Sequence, residues 1–109
     1  MKFKDLQKLD QDIIVALSRH KGIDRAIHGK TLAQSLKIDL RTLQSRIEFL
    51  QRNHCAIGSV DSQGYFIPLN EEERRTGIIK KMKSGIAINS AVDGYMVADI
   101  NWLDELIGG

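Results

Sequence analysis

The chain has 109 residues, 42% of them hydrophobic and 28% charged, and a net charge of +2; that suits one domain with one core and is too short for two ordinary domains. No window approaches the roughly 18 apolar residues of a membrane span, the opening MKFKDLQKLDQD lacks the apolar core of a secretion signal, and the single cysteine, Cys55, excludes an internal disulfide. The expected setting is therefore the cytoplasm, with no membrane partner. The charge is unevenly spread: residues 1–60 hold 11 Lys/Arg against 6 Asp/Glu, and residues 61–109 hold 5 against 8. A basic front half suits a polyanion, although a mixed solvated surface accounts for the same numbers.

Residues 1–8 read as a frayed basic arm. From Asp10 to about Arg19, Leu9, Ile13 and Leu17 recur every fourth residue with Ile14 beside them, which predicts a helix ended by Gly22. In the connector that follows, Arg25-Ala26-Ile27 is long enough for one brief strand. Over residues 29–53, Leu32 and Leu36 lie one turn apart and form the apolar face of a short helix. Lys37 to Asp39 interrupt it, and the Asp39 carboxylate can cap a second helix by accepting from its first free amides. Leu40, Leu43, Ile47 and Leu50 then repeat at the spacing of one buried helix face. A short helix, a tight turn and a longer helix make a helix-turn-helix.

Next, AIGSV and YFIPL flank DSQG, two short β-prone runs around a polar loop, which predicts a hairpin with Gly64 in a left-handed turn position. Tyr65 and Ile67 are expected to face the core, and Pro68, without an amide donor, belongs at the strand end. Asn70 can cap a further helix with Glu73 three residues on. Ile78, Met82 and Ile86, with Ile79 alongside, carry that helix past Gly85 towards Val92. The tail VADINWLDELIGG is acidic and can form a last short helix.

The order helix, short strand, helix-turn-helix, hairpin resembles a winged-helix domain. The pattern G-x-x-L-x-x-x-L-x-I-D-x-R-x-L-x-x-x-I-x-x-L over residues 29–50 is similar to the helix-turn-helix of biotin-operon-repressor-type regulators, with Gly29, Leu32, Leu36, Ile38, Leu43, Ile47 and Leu50 at the framework positions. GYFIPLNEEE, residues 64–73, resembles the wing exit and following helix of small winged-helix proteins of Gram-positive phages and mobile elements. The resemblance implies a mainly α fold with a small β-hairpin: a winged helix-turn-helix with an N-terminal arm over residues 1–69 and a C-terminal helical extension over 70–109. It implies double-stranded DNA as partner, usually through a homodimer. Two positions depart from the pattern: Asp39 stands where a small Ser or Thr is usual, and the wing tip, Asp61-Ser62-Gln63-Gly64, carries no Lys or Arg.

With Leu40, Leu43, Ile47 and Leu50 buried, a rotation of about 100° per residue centres the opposite face on Arg41, Ser45 and Arg52. Major-groove readers sit near the start of a recognition helix. Arg41 is thus the expected base reader, able to make a bidentate contact with guanine, with Thr42, Gln44 and Ser45 next. Lys30, Lys37 and Arg46 are expected to bind phosphate; Arg52 further along the helix and Gln63 at the wing tip complete the DNA-facing set. Ile78, Ile79, Met82 and Ile86 are expected to supply a dimer seam. Trp102 and Leu103 would dock on a protein partner or cover a local apolar patch. A solvated helix face is the bland alternative for Arg41 and its neighbours.

No residue constellation points to catalysis, and no cofactor is expected. His20, His28 and His54 lack metal spacing with one another or with Cys55, and HGKT at 28–31 lacks the first glycine of a phosphate loop. The expected function is a sequence-specific DNA-binding transcriptional regulator of a phage or mobile element, reading the major groove with residues 39–53. The alternatives are a winged-helix protein adaptor working through residues 70–109 and a phage replication-initiation factor. The charge of residues 29–54 favours DNA, five bases against two acids; the wing tip without Lys or Arg and the acidic second half favour the adaptor.

Overall fold

A computed structural model describes the backbone of residues 2–60, 63–83 and 90–108, and the side chains of these except 78–83, 90–93 and 108. The described residues form helices α1 (Lys8–Leu17), α2 (Gly29–Leu36), α3 (Leu40–Arg52), α4 (Glu71–Lys83), α5 (Ser90–Val97) and α6 (Trp102–Gly108), and strands β1 (Gly58–Val60) and β2 (Gly64–Phe66). The fold is mainly helical with one antiparallel hairpin, in a winged-helix-like arrangement.

The first residues are docked rather than frayed. Phe3–Asp5 form a 3₁₀ turn, Leu6 is buried, and the Gln11 amide donates to the Phe3 and Leu6 carbonyls at 3.2 and 3.0 Å. The sequence reading missed this because one leucine among lysines gives no periodic signal. In α1, Ile13, Ile14 and Leu17 are fully buried. After Gly22, at φ +93°, a second 3₁₀ turn leads the chain along the outer side of β2. There Ile27 and Tyr65 exchange both backbone hydrogen bonds, at 2.8 and 2.9 Å. The strand expected at Arg25-Ala26-Ile27 is thus reduced to one bridging residue.

Both helix ends around the turn are built from specific groups. Lys37 takes the left-handed conformation (φ +59°), its amide donates to Gln34 and the Ile38 amide to Ala33; these are the paired hydrogen bonds of a Schellman ending. Asp39 then caps α3, its carboxylate accepting from the Thr42 amide at 2.6 Å. The far end of α3 repeats the device at His54 (φ +68°), with the Cys55 amide donating back to Leu50.

In the hairpin Gly58 pairs with Phe66, Ser59 with Tyr65 and Val60 with Gly64. Directly paired residues share a face and successive pairs alternate. Ile67 is buried in the core and half-buried Tyr65 packs against it, as expected, while Phe66 is fully buried on the opposite face. A side chain at Gly64 (φ +102°) would collide with the Ile27 carbonyl. The α4 cap forms as expected, with Asn70 accepting from the Glu73 amide at 2.9 Å; Glu73 reaches back to the Leu69 amide at 3.0 Å.

The helix expected to run from Asn70 towards Val92 instead folds back. The Tyr95 hydroxyl donates to the Arg74 carbonyl at 2.8 Å, and Arg74 Nη1 donates to the Met96 carbonyl at 2.6 Å. In one straight helix residues 74 and 95 would stand about 31 Å apart. The fold-back lays α5 on the rear of α3, where Gly94 leaves no room for a side chain against the Gln51 carbonyl. It also lets Gly77 of α4 cross β1 at Gly58.

Trp102 and Leu103 are interior residues, 6% and 3% exposed, and the indole N–H donates to the Ala56 carbonyl at 3.2 Å. They are therefore not a partner-facing surface, and of the two expectations for the tail the local cover holds. A three-helix front half leaves the rear of α3 and the Cys55–Ile57 segment open, and α5 and α6 close them. Tyr95, Ala98, Trp102 and Leu103 accordingly share one core with Ile13, Leu17, Leu43 and Ile57, so the extension and the front half are built around the same interior.

Candidate nucleic-acid interface

Helix α3 divides as its stripe predicts. Leu43, Ile47 and Leu50 are buried and Leu40 is half-buried, while Arg41, Gln44, Ser45, Glu48 and Arg52 are exposed. Thr42 is half-buried, and its backbone amide serves the Asp39 cap. That hydrogen bond, then the Thr42 hydroxyl and last the charge of Arg41, holds the Asp39 carboxyl below the usual carboxylate range, so the cap is ionised at neutral pH. The side chains of Arg41, Gln44 and Ser45 make no hydrogen bond or ion pair with another described residue. The same holds for Lys30 on α2 and Lys37 in the turn, both exposed.

Arg46 has a different task from the phosphate contact expected of it. Its Nε and Nη2 donate to the two carboxylate oxygens of Asp10 at 2.8 and 2.6 Å, and the guanidinium lies 4.4 Å from the centre of the Phe49 ring. The Asp10 side chain is 1% exposed and that of Arg46 25%. Donation to Asp10 raises the Arg46 pKa further. The residue sits at the side of α3, where it meets α1, and its charge is consumed in fastening the two helices. The one-dimensional pattern could not distinguish this, because Asp10 lies 36 residues away. Arg52 is only loosely paired, 4.0 Å from Glu48 with both side chains about half exposed, a geometry worth little in water.

The start of α3 borders a cleft of about 500 Å³ between the N-terminal turn of α2 and the hairpin strands, lined by Lys30, Thr31, Leu40, Gln44, Ser59 and Tyr65 among others. The structure thus brings Lys30 and Gln44 together with the hairpin strands, and places Lys37 and Arg41 around the capped turn. Arg52 stands about 16 Å along the helix from Arg41. Gln63 is exposed at the hairpin tip. Ser59 was not singled out from sequence and Tyr65 was read only as facing the core; the signal available was the alternation of the hairpin, which puts Ser59 and Tyr65 on one face and Phe66 on the other.

Of the expected dimer seam, Ile78, Ile79 and Met82 lie on α4 with side chains outside the described set, and Ile86 lies outside the described residues. Cys55 is 2% exposed, and burial pushes its thiol up to about 12, which leaves it neutral and unreactive. Among the described residues no group of three or more His, Cys, Asp or Glu is placed to hold a metal ion, and no helix is long and apolar enough to cross a membrane. No family model matches the chain, and no curated protein and no solved structure matches it.

Proposed function

We propose that the protein is a winged-helix regulator that binds duplex DNA in a sequence-specific way, with α3 in the major groove. The observation that carries this reading is the state of α3: its rear is fixed by core packing, by the Asp10–Arg46 bridge and by α5, while Arg41, Gln44 and Ser45 face solvent unpartnered among the described residues. A rigid helix with free polar side chains near its start is what direct base readout requires. Arg41 contacts guanine, Gln44 and Ser45 read neighbouring bases, and Lys30 and Lys37 neutralise phosphates. Arg52 adds a distal backbone contact. A homodimer through α4, with Ile78, Ile79 and Met82 at the seam, completes the proposal and implies a palindromic site.

Selection of bound sequences from random duplex DNA tests it. Enrichment of one motif, with affinity falling steeply as salt rises, is the expected result. A second reading, a protein adaptor, is favoured by exposed Met96 and Val97 on α5 (43% and 67%) and Ile107 on α6 (47%). Absence of both enrichment and salt-dependent binding would select it.

A further inference from the structure

The cleft beside α3 has a use that the sequence does not suggest. Tyr65 is held there on both sides. Ser59 faces it across the hairpin, and Ile27 exchanges two backbone hydrogen bonds with it. Its ring fits because Gly29 has no side chain: a Cβ there would come within 3.2 Å of the Tyr65 ring and 3.0 Å of Leu40 Cδ1. The ring is half-buried, yet its hydroxyl makes no hydrogen bond with another described residue. The pairing register puts the Ser59 side chain on the same face as Tyr65, opposite the Phe66 side. Lys30 lines the same cleft, and so does Gln44 from the exposed face of α3. Burial, and after it the charge of Glu48, holds the Tyr65 hydroxyl above the ordinary phenol range, so it remains a protonated donor. Tyr65, Ser59 and Lys30 therefore line one cleft together with Gln44, itself among the side chains proposed to read bases.

We infer that this cleft is a backbone subsite in which the Tyr65 and Ser59 hydroxyls and the Lys30 ammonium hold one phosphate of the DNA strand beside α3. The inference rests on the proposed DNA reading and adds to it the residues that set the position of α3 in the groove. It also gives a hairpin whose tip carries no Lys or Arg a contact with DNA, through the strand pair Ser59 and Tyr65. Hydroxyl donors on phosphate position a protein without reading sequence.

The test compares wild type with Tyr65→Phe, which keeps the ring and its packing and removes only the hydroxyl. Affinities are measured for a duplex selected from random DNA and for a scrambled duplex, together with ethylation interference at each phosphate. Tyr65→Phe is expected to weaken binding roughly 10-fold, as loss of one hydrogen bond to a charged group does, and equally on both duplexes. Ethylation of one particular phosphate should impair wild type and no longer impair the variant. Affinity within twofold of wild type, a loss confined to the selected duplex, or an unchanged interference pattern overturns the subsite. Wild type that binds no duplex at all overturns the DNA reading itself, a different outcome from wild-type binding that survives in Tyr65→Phe.

Discussion

Arg46→Met separates a structural arginine from a DNA-binding one. The substitution keeps much of the aliphatic volume and removes the two hydrogen bonds to Asp10. The Asp10 carboxylate, 1% exposed, is then left buried without its partner. Breaking a buried pair in this way costs about 3–5 kcal/mol; the Arg46 side chain retains 25% exposure, which places the loss near the lower end, about 3 kcal/mol. Against a total stability of roughly 5–15 kcal/mol for such a domain, that is a large fraction. It corresponds to a fall in Tm of about 12–24 °C. Urea unfolding followed by circular dichroism measures it. Replacing both members, Asp10→Asn with Arg46→Met, removes the stranded charge and should recover much of the loss, giving a coupling of about 2 kcal/mol. The salt dependence of DNA binding by the folded variant should match that of wild type, because the guanidinium is already neutralised. An unfolding midpoint equal to wild type, or a shallower salt slope like that expected of Lys30→Ala, would refute the assignment of Arg46 to the fold.

Lys37→Gly should act in opposite directions on folding and binding: relief of a left-handed non-glycine residue stabilises by about 0.5–1 kcal/mol, while loss of the cation lowers the salt slope of DNA binding by about 1, both read by urea unfolding and by titration at several salt concentrations. Trp102→Ala opens the core and breaks the bond to Ala56; about 3–5 kcal/mol should be lost in the same unfolding assay, whereas a surface residue would lose almost nothing. The Cys55 thiol, held at about 12 when folded, titrates at an ordinary value near 9 when unfolded. Its burial therefore contributes fully below pH 9, and that contribution is lost progressively as pH rises from about 9 towards 12. Wild type should thus lose about 2 kcal/mol more than Cys55→Ala between pH 8 and pH 10.5, measured by unfolding at both pH values.

How far the sequence could be read follows from the range of each signal. The helix-turn-helix was legible because its determinants are local: the spacing of Leu43, Ile47 and Leu50, the Asp39 cap and the turn after Leu36 all lie within a few residues of one another. The hairpin was legible for the same reason, through Gly64 and Pro68. Its facing was legible too, with Ile67 in the core and Tyr65 packed against it; the full burial of Phe66 on the opposite face was not, since YFI is apolar throughout and gives no alternation to exclude it. The fold-back of α4 onto α5 was hidden because Ile78 and Met82 keep helical spacing while the decisive contacts, Arg74 with Tyr95 and Met96, span more than 20 residues. Docking and local cover stayed open for Trp102 because nothing local shows that the Ala56 backbone needs covering. For the candidate site, the solvent face of α3 followed from the position of its buried stripe. The removal of Arg46 from that face, and the arrival of Ser59 and Tyr65 beside it, depended on pairings that only the fold supplies.

The central claim is that the exposed face of α3 reads duplex sequence through Arg41. It is tested most directly by measuring the affinity of wild type and Arg41→Ala for a selected duplex and for the same duplex with its guanines exchanged. Wild type should discriminate between the two, and Arg41→Ala should lose about 1–3 kcal/mol on the selected duplex while discriminating less. Equal affinity of the two proteins for the selected duplex, with discrimination unchanged, would contradict it.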